Sequence, residues 1–294
     1  MNMQRLIGYT LVSATMIVAP LYAQQSALPI SWNQTQQSFQ VYGNTYYVGT
    51  RGLSSVLVTS PKGHILIDGA LPESAALIVA NIRTLGFRIE DVKLILNTHV
   101  HFDHAGGIAE LQKLSGAKVA ASALSAKVLL SGDVDNADPQ FGRLPRIAPV
   151  PQVSVFKDGD TLTAGDIAIT AHLTPGHTPG GTSWTWKSCV KDACLQVVYA
   201  DSLNPISATG YQYTDPKRNP NGVTQLEKSF ALLGTLPCDI LLAPHPELVD
   251  LQGKLTKREQ GGAQDPFVDA AACRAYVQTS REKLNKRVSD EHAH

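Results

Sequence analysis

Short blocks of apolar residues, separated by polar and turn-forming ones, recur along the chain and predict strands alternating with helices. Residues 39–49 and 55–60 read as early strands, carrying Val41, Tyr46, Tyr47 and Val48, then Val56, Leu57 and Val58. After a turn at Pro61-Lys62-Gly63, residues 63–68 form a buried strand that ends in a carboxylate, Asp68. Residues 72–85 have helical spacing, with Leu77, Ile78 and Ile82 on one face. Pro72 near the start and Gly86 just past the end fit the asymmetry of helix termini. Residues 93–97 are a short apolar run with polar borders, which reads as another buried strand. Helical spacing returns after Ala105 with Ile108, Leu111 and Leu114, followed by a strand at 117–121 and a helix at about 125–130.

Residues 131–151 break this rhythm with Gly132, Asp133, Asp135, Asn136, Asp138 and four prolines. A loop of that length in a compact domain is often functional. Its apolar residues Phe141, Leu144 and Ile147 either cover a substrate or pack down; Phe141 and Ile147 are carried forward as substrate-covering candidates. The second half repeats the element order: a strand at 166–173, a hairpin from 183–187 and 195–200, a helix at 226–233, a buried strand at 239–243 and a terminal helix at about 266–288. Two β-rich halves with helices outside predict an α/β fold, a four-layer α/β/β/α sandwich.

Composition narrows the partners. The chain has 294 residues, is 43% hydrophobic and has a formal net charge of zero, so no basic stripe points to nucleic acid. Residues 1–23 read as a secretory signal: Arg5, an apolar core over 6–21, and cleavage near Ala23. Gly8, Thr10, Ser13 and Thr15 interrupt the core, against a membrane-spanning anchor of roughly 20 apolar residues. The expectation is a periplasmic protein, one domain over residues 24–294, monomeric and with no membrane contact once the signal is removed. Four Cys remain, which permit three pairings. Cys189 and Cys194 flank a short turn and would staple the hairpin, leaving Cys238 to tie a strand to the terminal helix through Cys273.

The strongest chemical signal sits where the strand at 93–97 ends. His99, His101, Asp103 and His104 fall within six residues, on the loop before a helix. Imidazole and carboxylate are donors that zinc accepts. Four ligands so close cannot easily serve one tetrahedral ion, so two neighbouring metals are expected, with further ligands from elsewhere. The plain alternative, a polar surface loop, explains this spacing poorly. His177, in a Gly- and Pro-bounded turn after a strand, and His245, between two prolines at another strand end, supply them. The expected sets are His99, His101 and His177 for one metal, and Asp103, His104 and His245 for the other. Three protein ligands per ion leave an open position, the catalytic pattern. Asp68 is expected to hold a ligand imidazole in orientation. His64 is expected to be exposed, and His172 to pack within its strand.

Thr98-His99-Val100-His101-Phe102-Asp103-His104, Gly176-His177-Thr178-Pro179-Gly180, Ala200-Asp201-Ser202 and Pro244-His245 resemble the metallo-β-lactamase superfamily over essentially the whole chain after the signal. Within it, the chain is most similar to subclass B3: its first ligand is His99, and Ser202 stands where another subclass has a zinc-binding cysteine. The four cysteines also fit that subclass. The resemblance implies two Zn2+ per chain and hydrolysis of the β-lactam amide of penicillins, cephalosporins and carbapenems by a metal-activated water, hence antibiotic resistance. It gives Asp103 a catalytic role in orienting that water, and Ser202 and Asn204 the substrate carboxylate. Asp201 is either a metal bridge, as in lactonase- and thioesterase-type relatives, or a backbone-bonding acid beside the site, the reading adopted here. The rival functions are a lactonase or thioesterase of the same fold and a non-catalytic metal-binding protein.

Overall fold

The structure, a computed structural model, describes residues 28–293. The expected export segment, residues 1–23, lies outside the described residues. The first sheet runs in the spatial order β1 (Phe39–Tyr42), β2 (Thr45–Tyr47), β3 (Val56–Val58), β4 (His64–Ile67), β5 (Val92–Leu96), β6 (Lys118–Ser122) and β7 (Ser154–Phe156). β1 to β4 pair antiparallel and β4 to β7 parallel. The parallel half needs crossovers. They are made by α1 (Ala75–Thr84), by α2 (Phe102–Ala105) with α3 (Ile108–Ser115), and by α4 (Ala123–Ser131). The second sheet contains β8 (Thr161–Ala164), β9 (Ile167–Leu173), β10 (Thr182–Val190), β11 (Ala193–Tyr199) and β12 (Ile240–Leu242). These pair antiparallel except for parallel β11 and β12. α5 (Gly222–Thr235), α6 (Leu251–Glu259) and α7 (Ala272–His292) complete the chain.

Side-chain alternation explains the layering. Successive residues of a strand face opposite ways. Val56, Val58, Ile65, Ile67, Leu94 and Leu96 join Ile169, Ala171, Trp184, Trp186, Val197 and Tyr199 in a core between the sheets. The intervening Leu57, Leu66 and Ile95 face the other way, into a second core with Ile78 and Ile82 of α1, Ile108 and Leu111 of α3, and Leu129 of α4. The central strands therefore read as unbroken apolar runs because both faces are buried. Phe230 and Leu233 of α5 and Tyr276, Val277 and Leu284 of α7 belong to the first core with Val198, covering the second sheet. The result is the expected α/β/β/α sandwich.

Both expected disulfides are present, Cys189–Cys194 and Cys238–Cys273. The first joins directly opposed residues of β10 and β11. Three local expectations are corrected. The run 39–49 is two strands, because Gly43 at φ 50° turns the chain between them. The terminal helix starts at Ala272, since Asp265 and Asp269 accept from the backbone amides of Phe267 and Ala271 and hold the preceding segment in turns. His64 is buried, its ring edge-on to Phe87, rather than exposed. The edge strands β7 and β8 and helix α6 were not anticipated; β8, with its exposed threonines, carries little apolar signal.

Candidate metal centre

The six expected ligands sit on loops at strand ends. β5 stops at Leu96, and the chain runs extended through His99 and His101 into α2, which carries Asp103 and His104. A turn from the end of β4 clamps this segment. Asp68 (φ 64°) and Ala70 (φ 52°) hold left-handed backbone that non-glycine residues adopt at a cost of about 1–3 kcal/mol each. Hydrogen bonds offset that strain. Thr98 N donates to Asp68 Oδ1 at 2.7 Å, and Thr98 Oγ1 and Tyr199 Oη donate to Asp68 Oδ2 at 2.9 and 2.8 Å. Gly69 N donates to the His104 carbonyl at 2.7 Å. Across the cleft, His177 follows β9, in a loop closed by Gly176 N donating to the Thr178 carbonyl. His245 follows β12, where Ser54 N donates to the Pro244 carbonyl.

These loops bring the side chains together in two groups. Donor atoms of His99, His101 and His177 lie within 4.8 Å of one another, as do those of Asp103, His104 and His245. The groups adjoin, with the His99 and His104 rings 4.4 Å apart at their centroids. In the second group His104 Nε2 and His245 Nε2 are 3.1 Å apart, and Asp103 Oδ2 lies 3.2 and 3.4 Å from them.

Each imidazole of the first group has an acceptor on its outer nitrogen. His99 Nδ1 donates to Asp201 Oδ1 at 2.7 Å, His101 Nε2 to Asp138 Oδ2 at 3.0 Å, and His177 Nδ1 to the Asn204 carbonyl at 2.8 Å. With those protons placed by their acceptors, the inner nitrogens keep their lone pairs. His99 Nε2 is buried with no hydrogen-bond partner among the described residues.

Burial and mutual repulsion push the His99 imidazole well below the ordinary histidine range. Burial, reinforced by His101, lowers His177 to about 3, and burial with His104 lowers His245 to about 4. Neutral imidazole is the form that binds metal. Burial opposes charge on Asp103, but His104, His245 and His101 outweigh it and hold the carboxyl below its usual range. Burial raises Asp68 to about 6 and lifts Asp201 well above the ordinary carboxyl range. Carboxylates and unpartnered imidazole nitrogens buried this densely cost several kcal/mol per charge unless compensated. A divalent cation on each group would supply that compensation, and the nitrogen and oxygen donors suit such ions. The residues fit two metal sites.

Other expected site residues are placed differently. Asp68 does not touch an imidazole; it anchors the backbone and hydroxyl of Thr98, and Asp201 is the acid that orients His99. The reading of Asp201 as a backbone-bonding acid holds in part, because Ser202 N also donates to it. Ile147 is 7% exposed and packed in the helix-side core, so it does not cover a substrate. Phe141 is 51% exposed on the loop surface. Ser202 is fully buried, its Oγ without a partner among the described residues. Asn204 is half-buried, and Lys283 Nζ donates to its Oδ1 at 3.2 Å. In the sequence Asp138 is one of three acids in a proline-marked loop. Its partner is 37 residues away, and nothing in local spacing announces it.

A family model of the metallo-beta-lactamase superfamily matches residues 48–189. The Rm3 metallo-beta-lactamase superposes with a TM-score of 0.87 at 53% identity, over 89% of this chain and 97% of that one. MEM-A1, a subclass B3 metallo-beta-lactamase from a soil metagenome library, superposes with a TM-score of 0.86 at 48% identity, over 89% and 99%. A hydroxyacylglutathione hydrolase of Maricaulis maris is 38% identical over 87 residues, 29% of this chain. The chain spans only 40% and 26% of the first curated relatives it matches.

Proposed function

The chain belongs to the metallo-beta-lactamase superfamily and is a hydrolase, and from that premise we propose that it opens the β-lactam amide of penicillins, cephalosporins and carbapenems using two zinc ions. The observation that carries this reading is the pair of adjacent donor groups, His99, His101, His177 and Asp103, His104, His245, with no fourth His, Cys, Asp or Glu donor in either group among the described residues. Three donors per ion leave room for water and substrate. Near full-length likeness to subclass B3 enzymes supports the substrate class.

Cations held there would supply Lewis acidity toward the ring carbonyl and would acidify a water. The chain's own residues do the rest. Asp103, kept ionised, accepts a hydrogen bond from the attacking water and aims it at the carbonyl carbon. Asp201 and the Asn204 carbonyl fix the His99 and His177 rings, so the carbonyl meets a preorganised pocket. To the Asn204 amide we assign the substrate carboxylate, a role that the positive charge of Lys283 beside it supports. Ser202, being fully buried, does not reach the substrate directly. Two disulfides suit an oxidising compartment and support a periplasmic site of action. Among the described residues no helix is long and apolar enough to cross a membrane.

The local likeness to a hydroxyacylglutathione hydrolase favours a second reading, a lactonase or thioesterase. Against it, Asp201 Oδ1 is engaged by His99 Nδ1 and Ser202 N, and its Oδ2 lies against Gly181. The test is a panel assay of the purified protein with one penicillin, one cephalosporin, one carbapenem, a lactone and a glutathione thioester. Loss of β-lactam absorbance that stops with chelator and returns with zinc is expected. Intact β-lactams beside a cleaved lactone or thioester would move the function to the second reading. No cleavage at all by folded, metal-loaded protein would leave a metal-binding role.

A further inference from the structure

We infer that Asp138 is a positioning residue that couples the loop at 131–151 to the first metal triad. Its carboxylate fixes the His101 tautomer, so that metal binding and loop order reinforce each other. The inference rests on reading His99, His101 and His177 as metal ligands.

The three imidazoles differ in what holds them from outside. Asp201, behind His99, directly follows β11, and its carbonyl accepts from Tyr276 Oη of α7 at 2.9 Å. His177 is held by a backbone carbonyl, that of Asn204. All three acceptors lie outside the strands and helices, but only that of His101 belongs to the loop at 131–151. Asp138 brings both carboxylate oxygens to His101 Nε2, at 3.0 and 3.2 Å, with the pair only 3% and 4% exposed. The next residues continue the contact: Gln140, also buried, places Nε2 3.5 Å from His101 Nδ1, beside the nitrogen offered to the metal.

The loop depends on this contact in turn. Its ends are fastened by Ile147 N on the Gly132 carbonyl and Val150 N on the Leu129 carbonyl. Between them, the turn at 135–141 is organised around Asp138: its N–H donates to the Asp135 carbonyl, its carbonyl accepts from Phe141 N, and its Oδ1 accepts from Gln140 N at 2.8 Å. Outward ties from this stretch include the Pro139 carbonyl, which accepts from Ala208 N at 2.8 Å, and a Lys127–Asp135 pair at 3.6 Å whose lysine is exposed. A partly exposed ion pair of that kind contributes at most about 1 kcal/mol. Of the two side-chain ties the buried Asp138–His101 contact is therefore the stronger, and it ends on a metal donor. A cation held by His101 would polarise its Nε2–H toward Asp138. Whatever strengthens that bond orders the loop, and by reciprocity an ordered loop raises metal affinity.

The test compares full-length wild type, Asp138→Ala and Asp138→Asn, each metal-stripped and zinc-loaded. Zinc affinity at each site is read by competition with a chelating dye, and loop order by hydrogen exchange of peptides covering 131–151. Removal of such an outer partner typically costs 10–100-fold in affinity. Asp138→Ala is expected to lose about that much at one site and less than about twofold at the other, with Asp138→Asn between, since it keeps an acceptor oxygen. Zinc is expected to slow exchange across 131–151 in wild type and much less in Asp138→Ala. Wild-type affinity in both variants, equal weakening of both sites, or unchanged zinc protection of the loop would each overturn the inference. A wild-type protein that binds no zinc would instead overturn the metal-ligand reading beneath it. If Asp138→Ala fails to fold, Asp138→Asn alone still decides, through the same difference between sites.

Discussion

His99 shows how much one side chain's setting depends on residues far away in sequence. Its ring is buried, its outer nitrogen is bound to Asp201, and Asp201 lies against Gly181, where a Cβ would collide with Oδ2 and stand 2.7 Å from the Thr174 carbonyl. Gly181 is therefore required by close approach. Gly181→Ala is expected to displace Asp201 and lower both zinc affinity and kcat/KM by roughly 10–100-fold, the range for loss of a ligand's outer partner. Gly234→Ala is the control: a Cβ there meets nothing within 4 Å in α5, so activity should stay unchanged with a small gain in stability. Wild-type kinetics in Gly181→Ala would remove Asp201 from the account. The six donors themselves were legible, because they cluster at strand ends in unusual density. The outer partners were not. Asp68 and Asp201 are both buried acids beside the ligand loops, and only the fold decides which one meets an imidazole.

Elements that frame the site carry their own electrostatics. The end of α7 grips the segment after Asn204: Glu291 accepts from Tyr213 N at 3.0 Å, Thr214 N at 2.9 Å and Thr214 Oγ1 at 2.8 Å, and Arg287 pairs with it one turn away. Burial opposes charge on Glu291, but Arg287 and the two amides outweigh it, so its carboxyl lies below the ordinary glutamate range. A depressed folded pKa gives stability that is present above the unfolded value, about 4.3, and is lost as pH falls through the folded value. Glu291→Gln should therefore be less stable than wild type at pH 7, with the gap closing in acid below pH 4; denaturant unfolding at both pH values measures it. A gap independent of pH would mean the contact is not electrostatic. At this scale the apolar runs β3 to β6 were legible because both their faces are buried. Edge strands β7 and β8 were not, since an edge partner can satisfy a strand with few apolar residues.

Across the whole molecule, two sheets meet with their strand ends on one edge, and five loops deliver donors or their partners to it. The sandwich is the reason that His99, His177 and His245, spread over 147 positions of sequence, become neighbours. The density of buried ionisable groups at that edge fits cations held there, and that is the claim on which the functional reading stands. The most direct measurement strips metal from the purified protein and titrates zinc back. Bound zinc per chain and hydrolysis of a chromogenic cephalosporin are followed in the same samples. The account predicts no turnover without metal, two tightly bound ions per chain and full turnover once the His/Asp groups are filled. Undiminished hydrolysis by metal-free protein, or two bound zincs with the β-lactam left intact, would contradict it.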